Sequence, residues 1–333
     1  LPPVTWLRPI KPGVPDLEGK SRRFLAGLEG EDQVIFGVNP GSAEEALCGR
    51  LAEGDGRVVV VPCSSRAVAN PKISRLMAMM PQARHERLIL ADAEACLDGE
   101  FARAFRQEWM EGGADVLTAG YRFVGMETGV QWLDAIAAIQ TLWPGLELVR
   151  AFGQVRFTLG ACTALRAGDL EGIGGWAALR DELAEDHQLG ARLARAGKTI
   201  RLSKAVLALG VEPMSWREYW RHQLRVAVTY RVVAPAGAAG MVLTRGFTLC
   251  LLVATIWPCG RTAWNLLLAA GLHLLAVAFQ GRRIGQPTGG WLLLSLPADV
   301  LETACWGLSW LSQRVWWGGQ WRPITPTGQI KSV

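Results

Sequence analysis

The stretch Leu88-Ile-Leu-Ala-Asp-Ala-Glu94 decides how the first part of the chain folds. Four apolar residues stop at Asp92, and a second carboxylate, Glu94, follows two positions later. So short an apolar run predicts a strand covered on both faces. Val58-Val-Val-Val61 reads the same way, within a strand over 57–61, and residues 4–7, 33–38 and 116–121 are further strand candidates. Helix-period segments lie among them at 17–29, 43–52 and 71–80, with later ones at 129–142 and 186–196. Strands alternating with helices imply an α/β domain whose mostly parallel sheet is flanked by helices. In such sheets ligands bind beyond the carboxyl ends of the strands, and Asp92 falls at one of those ends.

Working outward, the 333 residues are half apolar and only 20% charged, which is apolar for a soluble enzyme and ordinary for a membrane-attached one. The formal charge of +5 points to a membrane surface or phosphate ligands and away from a dedicated nucleic-acid binder. Seven cysteines without a CxxC or Cys/His cluster read as reduced thiols, not as a zinc site or a disulfide framework. After Arg231 the composition changes. Residues 262–280 carry no charge and have the makeup of a bilayer span; 241–258 is similar but interrupted by Arg245. Residues 291–311 are apolar but hold Pro297, Asp299 and Glu302, costly in mid-bilayer, so a lipid-surface or re-entrant helix is the better reading. Ten of the 15 tryptophans lie from Trp216 onward, many near the ends of these segments, where an aromatic belt would sit. The expected layout is an α/β domain over 1–212, an interfacial helix over 213–235, membrane helices within 236–312, and a tail over 313–333.

Four constellations could carry chemistry. Asp92-Ala-Glu94 can aim two carboxylates at one site; such hard oxygens suit Mg²⁺ or Mn²⁺, with a diphosphate supplying further ligands. The same pattern also occurs by chance in surface turns. Glu185 and Asp186 open a helix, where acids offset the helix dipole; one of them could equally take a proton from a hydroxyl. Ser215 and Glu218 form a capping box, so a helix starts there. Arg217, Arg221 and Arg225 then share one face, beside a stripe of Trp216 and Trp220, as on a helix lying on anionic lipid. Arg225 or His222 could also reach a phosphate. In Asn70-Pro71-Lys72 the first two residues suit the N-cap and first helical position, and a lysine at a helix start could meet a phosphate.

In this order along nearly the whole chain, these pieces resemble the ceramide glucosyltransferase family (glycosyltransferase family 21), most closely its bacterial relatives that glycosylate hopanoids. Val4-Thr-Trp-Leu-Arg-Pro-Ile-Lys-Pro-Gly13, Asn70-Pro-Lys-Ile-Ser-Arg-Leu76, Asp92-Ala-Glu94, Glu185-Asp186, His222-Gln-Leu-Arg-Val226 and the tail from Trp317 to Ile330 carry the likeness. It implies a GT-A type glycosyltransferase domain on the cytosolic face of a bacterial inner membrane, followed by a C-terminal membrane helical region. The implied reaction is an inverting transfer of glucose or N-acetylglucosamine from a UDP-sugar to the hydroxyl of a hopanoid- or ceramide-like membrane lipid. Relatives also carry a membrane helix ahead of the catalytic domain, and a chain starting at Leu1 fits a sequence that begins after it.

The resemblance assigns roles. Asp92 and Glu94 hold Mg²⁺ or Mn²⁺, and Asp186 is the base. Arg225 and His222 act on the departing UDP, while Lys72, Asn39 and Gln223 bind the donor. Trp216, Trp220, Arg217 and Arg221 face membrane and acceptor. Three positions depart from the family pattern: Asn39 stands where an acidic patch is usual, Glu94 replaces Asp, and Val226 replaces a tryptophan. A second reading is a catalytically impaired member that binds lipid or a partner. A third, a processive polysaccharide synthase, needs a transmembrane channel, for which two or three apolar segments are few.

Overall fold

Both faces of the central sheet are apolar, which is why its strands read as unbroken hydrophobic runs. On one face Trp6, Val34, Phe36, Ile89 and Ala164 are buried together; on the other, Leu7, Ile35, Leu88, Leu90 and Leu165. The computed structural model describes residues 1–64, 69–153 and 155–330. The chain divides into two compact units, Leu1–Tyr121 with Val149–Gly210 and Arg122–Leu148 with Val211–Val333. The division differs from a single cut near residue 212, because the segment Arg122–Leu148 packs with the C-terminal half.

In the first unit, seven strands run in the order Val58–Pro62, Gln33–Val38, Thr5–Pro9, Arg87–Ala91, Cys162–Arg166, Val116–Thr118, Ile200–Leu202. The first four are mutually parallel. Cys162–Arg166 enters antiparallel between Arg87–Ala91 and Val116–Thr118. The predicted strand 116–121 is shorter than expected, stopping at Thr118. The expected helices are present as Leu17–Ala26, Ala43–Gly54, Pro71–Met79 and Glu185–Arg195. All seven cysteines are unpaired thiols.

The second unit is helical. Its core joins Leu133 and Ile136, Tyr219 and Ala298, from the helices Gly129–Ala137, Trp216–Val233 and Ser295–Ser309. The predicted helix over 129–142 widens into a π-turn at Ala138–Leu142. Such a turn re-aims side chains, and here Gln140 and Thr141 both donate to Glu302.

The apolar C-terminal segments differ from expectation in two places. Gly260–Arg283 is the one described helix long and apolar enough to cross a bilayer, and its apolar window is almost wholly uncovered by protein. The segment 241–258, by contrast, is not one straight span. It begins as a 3-10 turn, Met241–Thr244, and Gly246–Ile256 departs from the preceding segment at 60°. Eleven residues of helix reach about 16 Å, short of the roughly 30 Å hydrocarbon core. Arg245 causes the break: it is 4% exposed, with Nη1 2.7 Å from Glu302 and 3.3 Å from Asp299. The segment 291–311 starts as a 3-10 turn and continues as Ser295–Ser309. Its two carboxylates face Arg245 inside the protein, so their cost in lipid does not arise.

Candidate active site

The site is built around the turn after Arg87–Ala91. Asp92 donates its backbone N–H to Ala161 (3.1 Å), and its carbonyl accepts from Ala95 (3.1 Å). Arg8, at the carboxyl end of the neighbouring strand and fully buried, donates to the carbonyls of Ala93 (3.1 Å) and Ala95 (3.4 Å). These residues alternate with the two acids, so Arg8 fixes which way Asp92 and Glu94 point. Burial lowers the Arg8 pKa to about 10, and it remains charged at neutral pH.

A second element brings a cation. Asn70 caps the Pro71–Met79 helix, its Oδ1 accepting from the N–H groups of Lys72 (3.0 Å) and Ile73 (3.4 Å). Its Nδ2 donates to Glu182 O (3.2 Å) and Glu185 Oε2 (3.1 Å), tying this helix start to that of Glu185–Arg195. One side chain thus satisfies two helix N–H groups that have no partner within the helix and ties the two helix starts together. Lys72 then stands 2.7 Å from Asp92 and 3.0 Å from Glu185.

A third element brings Asp186. Its Oδ2 accepts from the backbone N–H of Gly160 (2.9 Å) and its Oδ1 from that of His187 (2.7 Å). The loop holding Gly160 can lie this close because residue 190 is glycine: a Cβ there would sit 2.2 Å from the carbonyl carbon of Phe157. Gly160 marks the meeting point. A Cβ on it would lie 3.1 Å from Asp186 Oδ2, 3.2 Å from Lys72 Nζ and 3.5 Å from Asp92 Oδ2.

Charge is unbalanced here. Four carboxylates (Asp92, Glu94, Glu185, Asp186) share the region with Lys72 and with Lys11, which pairs with Glu94. Burial, reinforced by Glu185, pushes the Asp186 pKa up to about 6. Burial also raises Asp92 against the pull of Lys72. Burial works against Glu94 as well, but Lys11 holds it below its ordinary value. For Lys72, burial alone would lower the pKa; Asp92, Glu185 and Asp186 together carry it above the usual lysine range.

The residues fit a divalent ion completed by substrate. Among the described residues no group of three or more His, Cys, Asp or Glu forms a ready-made metal cage. Mg²⁺ typically takes only one or two carboxylates and finishes its shell with phosphates and water. Two hard carboxylates, each with an ammonium seated on it (Lys72 on Asp92, Lys11 on Glu94), match that donor set.

Of the sequence-predicted residues, Asp92, Lys72 and Asp186 come together, with Glu94 adjacent to Asp92 in the same turn. Asn39 is at the end of Gln33–Val38, where its Oδ1 accepts from Arg75 (2.8 Å). The others lie in the second unit, on Trp216–Val233. The Ser215–Glu218 capping box is formed. Gln223 is buried and donates to Asp134 (2.8 Å). His222 Nδ1 meets an Arg225 N–H at 2.9 Å, and its Nε2 lies 3.5 Å from Asp134. Trp216 and Arg217 are exposed and Trp220 half-buried. Arg221 stacks on Trp316, 3.7 Å from the ring centre.

Arg8, Lys11, Gly160 and Gly190 are site residues that sequence reasoning missed. An arginine inside a buried strand was the available signal for Arg8. The glycines gave none, because their role depends on which backbone approaches.

A mostly parallel sheet with carboxylates and a lysine gathered beyond one strand end is the arrangement of a GT-A type nucleotide-sugar glycosyltransferase. Glycosyl transferase family 21 matches residues 1–330, and the chain belongs to that family. It is therefore a glycosyltransferase of the ceramide glucosyltransferase family. Among solved structures, the mannosyltransferase PcManGT from Pyrobaculum calidifontis, in complex with GDP-Man and Mn²⁺, is 14% identical, with 89% of this chain and 86% of that one covered and a TM-score of 0.57. TarS of S. aureus with UDP-GlcNAc is 13% identical over 99% of both chains, TM-score 0.41. Glucosyl-3-phosphoglycerate synthase from Mycobacterium tuberculosis, with Mn²⁺ and UDP-glucose, is 15% identical over 70% of this chain and 79% of its own, TM-score 0.41. No curated protein sequence matches this chain.

Proposed function

We propose that the protein transfers glucose or N-acetylglucosamine from a UDP-sugar to the hydroxyl of a membrane lipid, hopanoid- or ceramide-like, with inversion at the anomeric carbon. The observation that carries this reading is the gathering of Asp92, Lys72 and Asp186 around Gly160, in a chain of this family.

Asp186 is the general base. Its oxygens are fixed by two backbone N–H groups, and a carboxylate with a pKa near 6 is ionised at neutral pH yet basic enough to receive the acceptor proton. The acceptor oxygen then attacks the anomeric carbon from the face opposite the leaving UDP. Asp92 and Glu94 are the residues that would hold Mg²⁺ or Mn²⁺. When bound, that ion supplies neutralisation of the charge developing on the diphosphate. Lys72 is placed to pass from Asp92 to a phosphate as the donor enters, and Asn39 lies on the nucleotide side. The resemblance assigns Arg225 and His222, which lie 2.9 Å apart, to the departing UDP. The exposed apolar face of Gly260–Arg283, including Trp264, Leu268, Leu272 and Leu275, supports attachment to a bilayer. Trp216, Arg217 and Arg221 suit a headgroup surface, with the catalytic unit on the cytosolic side of a bacterial inner membrane.

Purified protein in liposomes, given labelled UDP-sugars and a panel of hopanoid, ceramide and diacylglycerol acceptors, tests the reading. A single glycolipid of inverted configuration is expected. Transfer only to soluble acceptors, or donor binding without transfer under all conditions, would overturn it.

A further inference from the structure

Thr5–Pro9 is paired in parallel with Gln33–Val38 on one side and Arg87–Ala91 on the other, so the three strands end at one edge of the sheet. Lys11 lies just past the middle strand, with Asn39 past one neighbour and Asp92-Ala-Glu94 past the other. Its backbone is pinned on both sides. Ile10 donates its N–H to Gly37 O (2.8 Å), and Gly13 donates its N–H to Glu44 Oε1 (3.0 Å). The side chain is not enclosed: it is 43% exposed, and its ammonium pairs with Glu94 Oε1. Lys72 is held differently. It is 19% exposed, and besides Asp92 at 2.7 Å it keeps Glu185 at 3.0 Å. When a cation takes Asp92, Lys72 therefore stays in the site on Glu185. A cation on Glu94 sets a second positive charge against the Lys11 ammonium, and the exposed side chain swings off. In water the displaced ammonium gains little; beside a diphosphate it gains a charge-assisted contact.

We infer that Lys11 makes metal binding conditional on the donor: it occupies Glu94 in the free protein and crosses to the diphosphate when metal and nucleotide arrive together. This rests on the reading of Asp92 and Glu94 as the residues that would hold Mg²⁺ or Mn²⁺. No covalent bond forms or breaks; one ion pair is exchanged for another. Lys11 thus competes with a bare cation and cooperates with one that brings its diphosphate. By linkage, the factor by which UDP tightens metal binding is also the factor by which the metal tightens UDP binding.

The test is protein-bound Mn²⁺ counted by electron paramagnetic resonance, with and without UDP, on the full chain in detergent. Lys11→Met is expected to tighten Mn²⁺ binding in the absence of UDP by about 5-fold or more, the weight of a unit charge some 4 Å away in water. It should shrink the enhancement by UDP by at least the same factor. Lys11→Gln should match Lys11→Met, and carries the test if that variant does not fold. Lys11→Arg keeps the charge and should stay within about twofold of the parent in both conditions. Asp92→Asn separates the two levels of the argument. If it abolishes Mn²⁺ binding in the presence of UDP while Lys11→Met and Lys11→Gln match the parent, Lys11 is only a surface ion pair: the inference is wrong and the metal reading stands. If Asp92→Asn matches the parent with UDP present, the metal reading fails and the inference goes with it.

Discussion

The protein contains two clusters of buried charge, one in each unit, and they are built to opposite specifications. In the helical unit, Arg245 is enclosed with Asp299 and Glu302, all under 7% exposed. Thr248 donates to Asp299, and Gln140 and Thr141 donate to Glu302. Each carboxylate is met by the arginine and by neutral donors, so the cluster is closed. In the α/β unit, Asp92, Glu94, Glu185 and Asp186 share their region with Lys11, Lys72 and Arg8, and the side chains of Asp92 and Lys72 remain 30% and 19% exposed. That cluster is open and reachable. A closed cluster fixes geometry and, once made, has little left to give. An open one can hold a carboxylate such as Asp186 near its point of ionisation and keeps room for a cation and a phosphate. The first explains why the C-terminal segments bend where they do. The second is where the proposed chemistry is set.

If this contrast is sound, the clusters should fail differently. Asp186→Asn should lower transfer by about 10²–10⁴-fold, the usual worth of a general base. UDP binding, measured by calorimetry, and the melting temperature should stay near parental. Arg245→Met should do the reverse: leaving Asp299 and Glu302 buried without their cation costs about 3–5 kcal/mol in denaturant unfolding. Lys72→Met should resemble Asp186→Asn more than Arg245→Met. A transfer loss on the order of 10²-fold is expected from removing a group aimed at the diphosphate, with little change in stability because the pair is partly solvated. The smallest effect sharpens the geometry. Gly190→Ala forces a methyl against the Phe157–Thr158 backbone and should cost about 1–3 kcal/mol. It should also move the Gly160 loop off Asp186, so transfer per folded molecule falls too. Equal stability losses for Lys72→Met and Arg245→Met would erase the distinction between the clusters.

What the sequence disclosed follows the range over which each feature is set. Asp92 at a strand end, the Asn70–Pro71 helix start and the Ser215–Glu218 capping box depend on residues within four positions of one another, and each was readable. So was the double-faced burial of 88–91; the same reading fails for 58–61, which forms the edge strand of the sheet and is half-buried over 59–61, since an apolar run does not disclose its place in the sheet. Cys162–Arg166 escaped notice although it sits centrally in the sheet. It is short, and its antiparallel place between Arg87–Ala91 and Val116–Thr118 is decided by strands far away in sequence. The same holds for the break at Arg245. A lone arginine in an apolar run looks like an interruption of a membrane helix until Asp299 and Glu302, more than 50 residues on, are seen to meet it. The hydrogen bond from Gln223 to Asp134, 89 positions earlier, was out of reach for the same reason. Gly160 and Gly190 were silent because a glycine's meaning lies in the backbone that comes near it.

The central claim is that Asp186, raised by burial and by Glu185, is the base of the transfer. The pH dependence of kcat/KM for glycolipid formation tests it most directly. Asp186 must be ionised to accept a proton. The rate should therefore fall about tenfold per pH unit below about 6, level off above it, and lose that limb in the residual activity of Asp186→Asn. A profile flat from pH 5 to 8, or one whose acidic limb survives in Asp186→Asn, would contradict the account.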